Sequence, residues 1–146
     1  MDAVRMLEQD HHEIETLFDR YERANDEQRA RLIEPICREI EAHTRVEEEM
    51  FYPQVRVALG QDGIELVDEA RDEHERVTRQ IGEIRSMQEG DPARALRFAL
   101  VIEDVRHRVE QEESEMFPLV RVNMEPQLGV LGEAMLQQRQ VFEVPR

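Results

Sequence analysis

Four histidines at near-equal intervals constrain this chain more than any other feature. His11, His43, His74 and His107 are separated by 32, 31 and 33 residues. In a bundle of antiparallel helices, a mid-helix residue returns to its own height after one helix length plus a turn. Equal steps therefore place four imidazoles at one level in a bundle interior, where such folds build metal sites. The fifth histidine, His12, is about 100° round a helix from His11 and is expected at the edge or in solvent.

Helical periodicity supports the bundle. Apolar residues spaced three and four apart mark one buried helix face. Val4, Leu7, His11, Ile14, Phe18 and Tyr21 form such a stripe in a first helix over residues 2–24. Ile33, Ile36, Ile40, His43, Glu47 and Met50 form a second in a helix over 27–52. A loosely helical connection follows at 54–63, then a third stripe, Val67, Ala70, His74, Val77, Ile81 and Ile84, in a helix over 64–88. The fourth, Phe98, Ile102, Val105, Val109, Glu112 and Met116, lies in a helix over 92–117, and His107 falls well round from its line. Asn25-Asp26, Gly60 to Gly63 and Gly90-Asp91-Pro92 punctuate the chain with capping and turn residues. The expected fold is all-α: an antiparallel up-down-up-down four-helix bundle over residues 1–120. Residues 121–146 would add a short helix packed on it, with Val144, Pro145 and Arg146 frayed.

His43-Thr44-Arg45-Val46-Glu47 puts an imidazole and a carboxylate on one helix face, a turn apart. Both sit in a core stripe, where polar groups cost stability unless satisfied. A buried His–Glu hydrogen bond is one way to satisfy them, and a metal ion is the other. The histidine spacing favours the metal. Imidazole plus carboxylate suits iron, manganese or zinc. Four histidines and two glutamates exceed what one tetrahedral zinc needs, so the donors favour two ions, with Glu47 and Glu112 as bridges. The candidate ligands are His11, His43, Glu47, His74, His107 and Glu112. A ferritin-like site wants two Glu-x-x-His pairs, and only Glu8 to His11 has that spacing. Glu113-Ser114-Glu115-Met116-Phe117-Pro118 echoes Glu48-Glu49-Met50-Phe51-Tyr52-Pro53, which hints at a two-fold internal repeat or at shared helix-ending chemistry.

A formal charge of −15 argues against nucleic acid and anionic membrane surfaces as partners. No apolar run approaches the roughly 20 residues of a membrane span, and the N-terminus has no secretory pattern. A cytoplasmic location is the default. Cys37, the single cysteine, is expected to be a small buried apolar group.

These motifs resemble the hemerythrin-like proteins, or HHE cation-binding domains, over residues about 5–118. The likeness rests on Asp10-His11-His12-Glu13-Ile14, on His43 to Pro53, on Asp72-Glu73-His74-Glu75-Arg76-Val77, and on His107-Arg108-Val109-Glu110-Gln111-Glu112-Glu113. The resemblance implies a four-helix bundle with two iron ions in a carboxylate-bridged, non-haem centre. Such centres meet dioxygen, peroxide or nitric oxide. Oxygen carriers of this kind place a second histidine four residues before the one at His74, where this chain has Ala70. Many relatives have a histidine where this chain has Arg108. The missing imidazole points to reaction or sensing rather than reversible oxygen carriage. The function expected is dioxygen, redox or iron sensing. The alternatives are an iron or manganese buffer, and an acidic helical interaction module with a structural or vestigial metal site.

Overall fold

A computed structural model describes residues 1–143; the expected fraying of Val144, Pro145 and Arg146 falls outside them. The chain is helical, with no strand among the described residues. Helix α1 is Ala3–Arg23, capped by Asp2, whose carboxylate accepts from the Arg5 N–H. Helix α2 is Asp26–Val46, opened by a reciprocal cap between Asn25 and Gln28. A five-residue π segment, Glu47–Phe51, joins α2 to α3, Tyr52–Leu59. Gly60, at φ +63°, takes a left-handed turn that a side chain would oppose, and α4 follows over Gln61–Arg85. Asp91 caps α5, Pro92–Gln111, with proline in its first turn. A second π segment, Glu112–Met116, leads into α6, Phe117–Glu143.

Both π segments stand six residues ahead of a proline, counted from their first glutamate: Glu47 to Pro53 and Glu112 to Pro118. Proline removes one N–H from the helix ladder and its ring crowds the carbonyl four residues back. Here the helix widens instead of ending. The Tyr52 N–H reaches the Glu47 carbonyl and the Phe117 N–H reaches that of Glu112, five residues back in each case. The sequence suggested helix ends near 52 and 117; the helices instead continue. The widening also shifts the inward face. Phe51 and Tyr52 are fully buried, whereas Met50, expected on the stripe, lies on its flank.

The interior has two apolar halves. Ile14, Phe18, Ile33, Ile36, Ile81, Ile84 and Phe98 fill one, together with Cys37. Val4, Leu7, Phe51, Val67, Met116, Leu128 and Met135 help fill the other. Burial pushes the Cys37 thiol up to about 12, so it stays an uncharged packing group. Two arginines tie helices together at the surface: Arg85 of α4 bonds Glu34 and Glu41 of α2, and Arg106 of α5 bonds Glu15 and Glu22 of α1.

Helix α6 runs for 27 residues, and only the part beyond its reversal of direction corresponds to the short C-terminal helix expected over 121–146. Arg121 reaches Asp2, Gly132 lies against the Met1–Ala3 backbone, and Arg139 reaches Asp10. From Gly132 to Arg139 the helix therefore runs beside α1 in the same direction, whereas α5 runs against it, from Glu22 and Glu15 at Arg106 to His11 at Glu112. The reversal falls between Arg121 and Gly132, where Pro126 removes a ladder hydrogen bond.

Candidate metal centre

Between the apolar halves sits a buried polar layer. His11 comes from α1, His43 from the end of α2, and Glu47 and Glu112 open the two π segments. One ligand atom from each of these four lies within 4.8 Å of the others. His43 Nε2 is 3.1 Å from Glu47 Oε1, and His11 Nε2 is 3.1 Å from Glu112 Oε1. His11 Nε2, both Glu47 carboxylate oxygens and Glu112 Oε1 are buried without a hydrogen bond of good geometry. Such groups are costly to bury unless something satisfies them. Two imidazole nitrogens and two carboxylates converging on one point fit a divalent cation.

The far side of each ring is held by a carboxylate. Asp10 Oδ2 lies 2.9 Å from His43 Nδ1, and Glu113 Oε2 lies 2.8 Å from His11 Nδ1. A proton donated from Nδ1 leaves the Nε2 lone pair facing the centre, the arrangement that orients a metal-binding histidine. Arg139 of α6 donates to Asp10 at 3.0 Å and also pairs with Glu39. Phe117 stacks on His11, with ring centroids 5.8 Å apart.

Burial pulls the His11 and His43 values down. For His11, contacts with Glu112 and Glu113 outweigh this and bring it to about 9. For His43, Glu47 and Asp10 bring it to about 10. Burial, then the neighbouring Glu112 charge, pushes the Glu47 carboxyl up. Burial also opposes ionisation of Glu112, but the close approach of Glu47 and of the His11 and His43 imidazoles outweighs it and holds Glu112 well below the usual carboxylate range.

His74 is buried on the other side of Glu47. Its Nε2 is 3.5 Å from Glu47 Oε1 and its Nδ1 is 3.2 Å from Glu48 Oε1. His107 is not brought into the centre: its side chain is 61% exposed and sits on the outer side of Glu73, 3.7 Å away. The interval count fixed its height, but one residue of phase turns a helical side chain by about 100°. Arg108 takes the inward direction and is buried. His12 is exposed, as its phase predicts. Ala70 is fully buried on the face that carries His74.

Other residues that build the layer escaped the sequence reading. Asp10 and Glu73 each precede a histidine, and their carboxylates reach the adjacent helix. The signal was a repeated acid–His pair, 63 residues apart. The Tyr52 hydroxyl donates to Glu112 Oε2 at 2.6 Å. Beside this layer lies an enclosed cavity of about 30 Å³ lined by His43, Glu47, His74, Arg108, Glu112 and apolar side chains including Val77 and Val109.

Over its described residues the chain is a helical domain whose buried histidine and glutamate donors converge where they could hold a cation. The hemerythrin HHE cation binding domain family matches residues 2–120, and the chain belongs to that family. A crystal structure of a hemerythrin HHE cation binding domain-containing protein from Mycobacterium kansasii is similar in fold, with a TM-score of 0.82 over 97% of this chain and 87% of that one, at 22% identity. A DNA nickase from Nostoc sp. (strain PCC 7120) is 30% identical over 124 residues, covering 84% of this chain. This chain spans 34% of that protein's length. Among the described residues no helix is long and apolar enough to cross a membrane.

Proposed function

We propose that the protein is a non-haem iron protein of the HHE family that acts in dioxygen, redox or iron sensing, with dioxygen, peroxide or nitric oxide as its small-molecule partner. The observation that carries this reading is the set of buried atoms His11 Nε2, Glu47 Oε1, Glu47 Oε2 and Glu112 Oε1, left without hydrogen bonds at the meeting point of two imidazoles and two carboxylates. These four residues would hold the ion. Bound iron supplies one-electron chemistry toward small oxidants. The chain's residues do the rest. Asp10 and Glu113 fix the two imidazoles, and the apolar halves exclude bulk water. The cavity of about 30 Å³ beside the layer has room for a small molecule.

Within this reading residues 1–120 form an up-down-up-down bundle that carries the centre, and residues 121–146 pack on it. A charge of −15 disfavours DNA as a partner, and a cytoplasmic setting suits a chain with one buried, uncharged thiol. Two carboxylate-bridged ions would need a second donor set on the His74 side of Glu47 and Glu112.

Loading the protein anaerobically with Fe²⁺ and mixing it with oxygen in a stopped-flow instrument tests the function. The expected result is oxidation to the ferric state with no oxygen released on purging. A stable adduct that gives oxygen back, with the iron still ferrous, would make the protein a carrier. No iron binding, or binding lost in His12→Ala and kept in His11→Ala, would remove the site itself.

A further inference from the structure

The centre is built on an internal two-fold repeat, and one of its halves is altered. Each half contributes an acid–His pair on its first helix, Asp10-His11 and Glu73-His74. Each contributes a glutamate opening a π segment on its second, Glu47 and Glu112. The pairing follows the repeat. His11 Nδ1 meets Glu113 and His74 Nδ1 meets Glu48. Phe117 stacks on His11 and Tyr52 stacks on His74 at 5.7 Å. Asp10 holds His43, four residues before Glu47, whereas Glu73 holds Arg108, four residues before Glu112, with Arg108 Nη1 3.3 Å from Glu73 Oε2.

The repeat therefore maps the donor set His11, His43, Glu47 and Glu112 onto His74, Arg108, Glu112 and Glu47. The image has a guanidinium where the original has an imidazole. Arginine offers five donors and no lone pair to a metal, and it stays charged. Arg108 lines the enclosed cavity with His74, Glu47 and Glu112, and the negative charges of Glu112, Glu73 and Glu47 act on it there. Tyr52 departs from the repeat as well: it takes up Glu112 Oε2, where its counterpart Phe117 has no hydroxyl. A second cation beside Arg108 would have His74 as its sole nitrogen donor and would repel a buried positive charge.

We propose that this chain holds a single metal ion, in the His11–His43–Glu47–Glu112 set, and that the Arg108 guanidinium stands in the place of a second ion. This rests on the metal-binding reading above and replaces the two-ion count expected from the donor inventory and from the sequence resemblance. Arg108 is then a fixed cation that offsets the Glu47 and Glu112 charges on the side away from the metal.

The test is a count of bound ions in the chain of residues 1–146 by equilibrium dialysis against Zn²⁺ or anaerobic Fe²⁺, followed by elemental analysis. Wild type is expected to hold one ion per chain, and Arg108→His, which restores the image of His43, two. After oxidation by air the iron-loaded wild type should show the paramagnetic resonance of an isolated ferric ion, and Arg108→His the loss of that signal through coupling of two ions. Two ions in the wild type, or a coupled pair there, would overturn the single-ion proposal and leave the metal reading intact. One ion in a folded Arg108→His protein would overturn the role given to Arg108. No ion in the wild type would overturn the metal reading and this proposal with it. The wild-type count decides the question even if the Arg108→His chain does not fold.

Discussion

Asp10 and His43 sit on adjacent helices, and Asp10 Oδ2 lies 2.9 Å from His43 Nδ1, with Arg139 on the same oxygen at 3.0 Å. The carboxylate joins the ring that faces the centre to the last helix of the chain. Arg139 outweighs part of the cost of burying it; burial raises the Asp10 value, but His43 and Arg139 leave it lowered overall.

Asp10→Asn keeps the shape and removes the charge that fixes His43. Partners of this kind are worth about 10–100-fold in metal affinity, and a loss in that range is expected from competition with a chromophoric chelator. Far-ultraviolet circular dichroism should stay at the wild-type value. Unchanged affinity in a folded Asp10→Asn protein would show that His43 needs no such anchor.

Gly132 tests how α6 docks. A Cβ built there meets the Met1, Asp2 and Ala3 backbone at 2.4–2.5 Å, and backbone atoms cannot swing aside as a side chain can. In an unobstructed helix Gly→Ala stabilises by about 1 kcal/mol. Here Gly132→Ala is expected to destabilise by about 1–3 kcal/mol through overpacking, measured by urea unfolding. A more stable variant would mean that α6 does not lie against α1 in solution.

Phe98 is fully buried in the apolar half remote from α6 and meets Tyr21 edge-on, with ring centroids 4.8 Å apart. Phe98→Ala should cost about 3–5 kcal/mol. Because the centre is built elsewhere, the metal count of the fraction that remains folded should not change. Calorimetry with and without Zn²⁺ reads both quantities.

Acid should weaken the clamp between α2 and α4. The Arg85 guanidinium holds the Glu34 carboxyl below its ordinary value, against a smaller opposing effect of burial. A depressed carboxylate contributes stability that is fully present above its unfolded value and lost as pH falls through the folded one. The contribution is therefore complete at neutral pH and fades below the ordinary Glu34 value of 4.5. The pair is about one-third exposed, so the loss is small, at most about 1 kcal/mol. Thermal melts of wild type and Arg85→Met between pH 7 and 3 should converge as pH falls. A gap that widens in acid would reverse the sign.

Much of the interior was legible from periodicity, because a buried helix face repeats every three or four residues whatever it packs against. Every residue of the first and third stripes is buried, His11 and His74 included. The donors His43, Glu47 and Glu112 were legible for the same reason, as polar residues in an apolar line. His107 was not, because an interval gives height along a bundle and not direction round a helix. Pro53 and Pro118 read as terminators because a proline removes a helical hydrogen bond. The wider π turn absorbs that loss, and only the backbone shows it. The contacts of Asp10, Glu73 and Arg139 depend on which helices lie side by side, which a single stripe does not encode. The match of Arg108 to His43 was available: both stand four residues before a stripe glutamate.

Each π segment is, in effect, a one-residue insertion held in a continuous rod. Adding a further residue between Glu47 and Pro53, or between Glu112 and Pro118, which the wide turn has no room to absorb, would turn everything downstream by about 100°. Phe51 and Tyr52 in the first case, and Met116 and Phe117 in the second, would swing off the apolar interior that now covers them. Chain length in these two stretches is thus pinned as tightly as residue identity. Grafts, circular permutations and loop insertions belong at Asn25, Gly60 or Gly90, where the helices already stop.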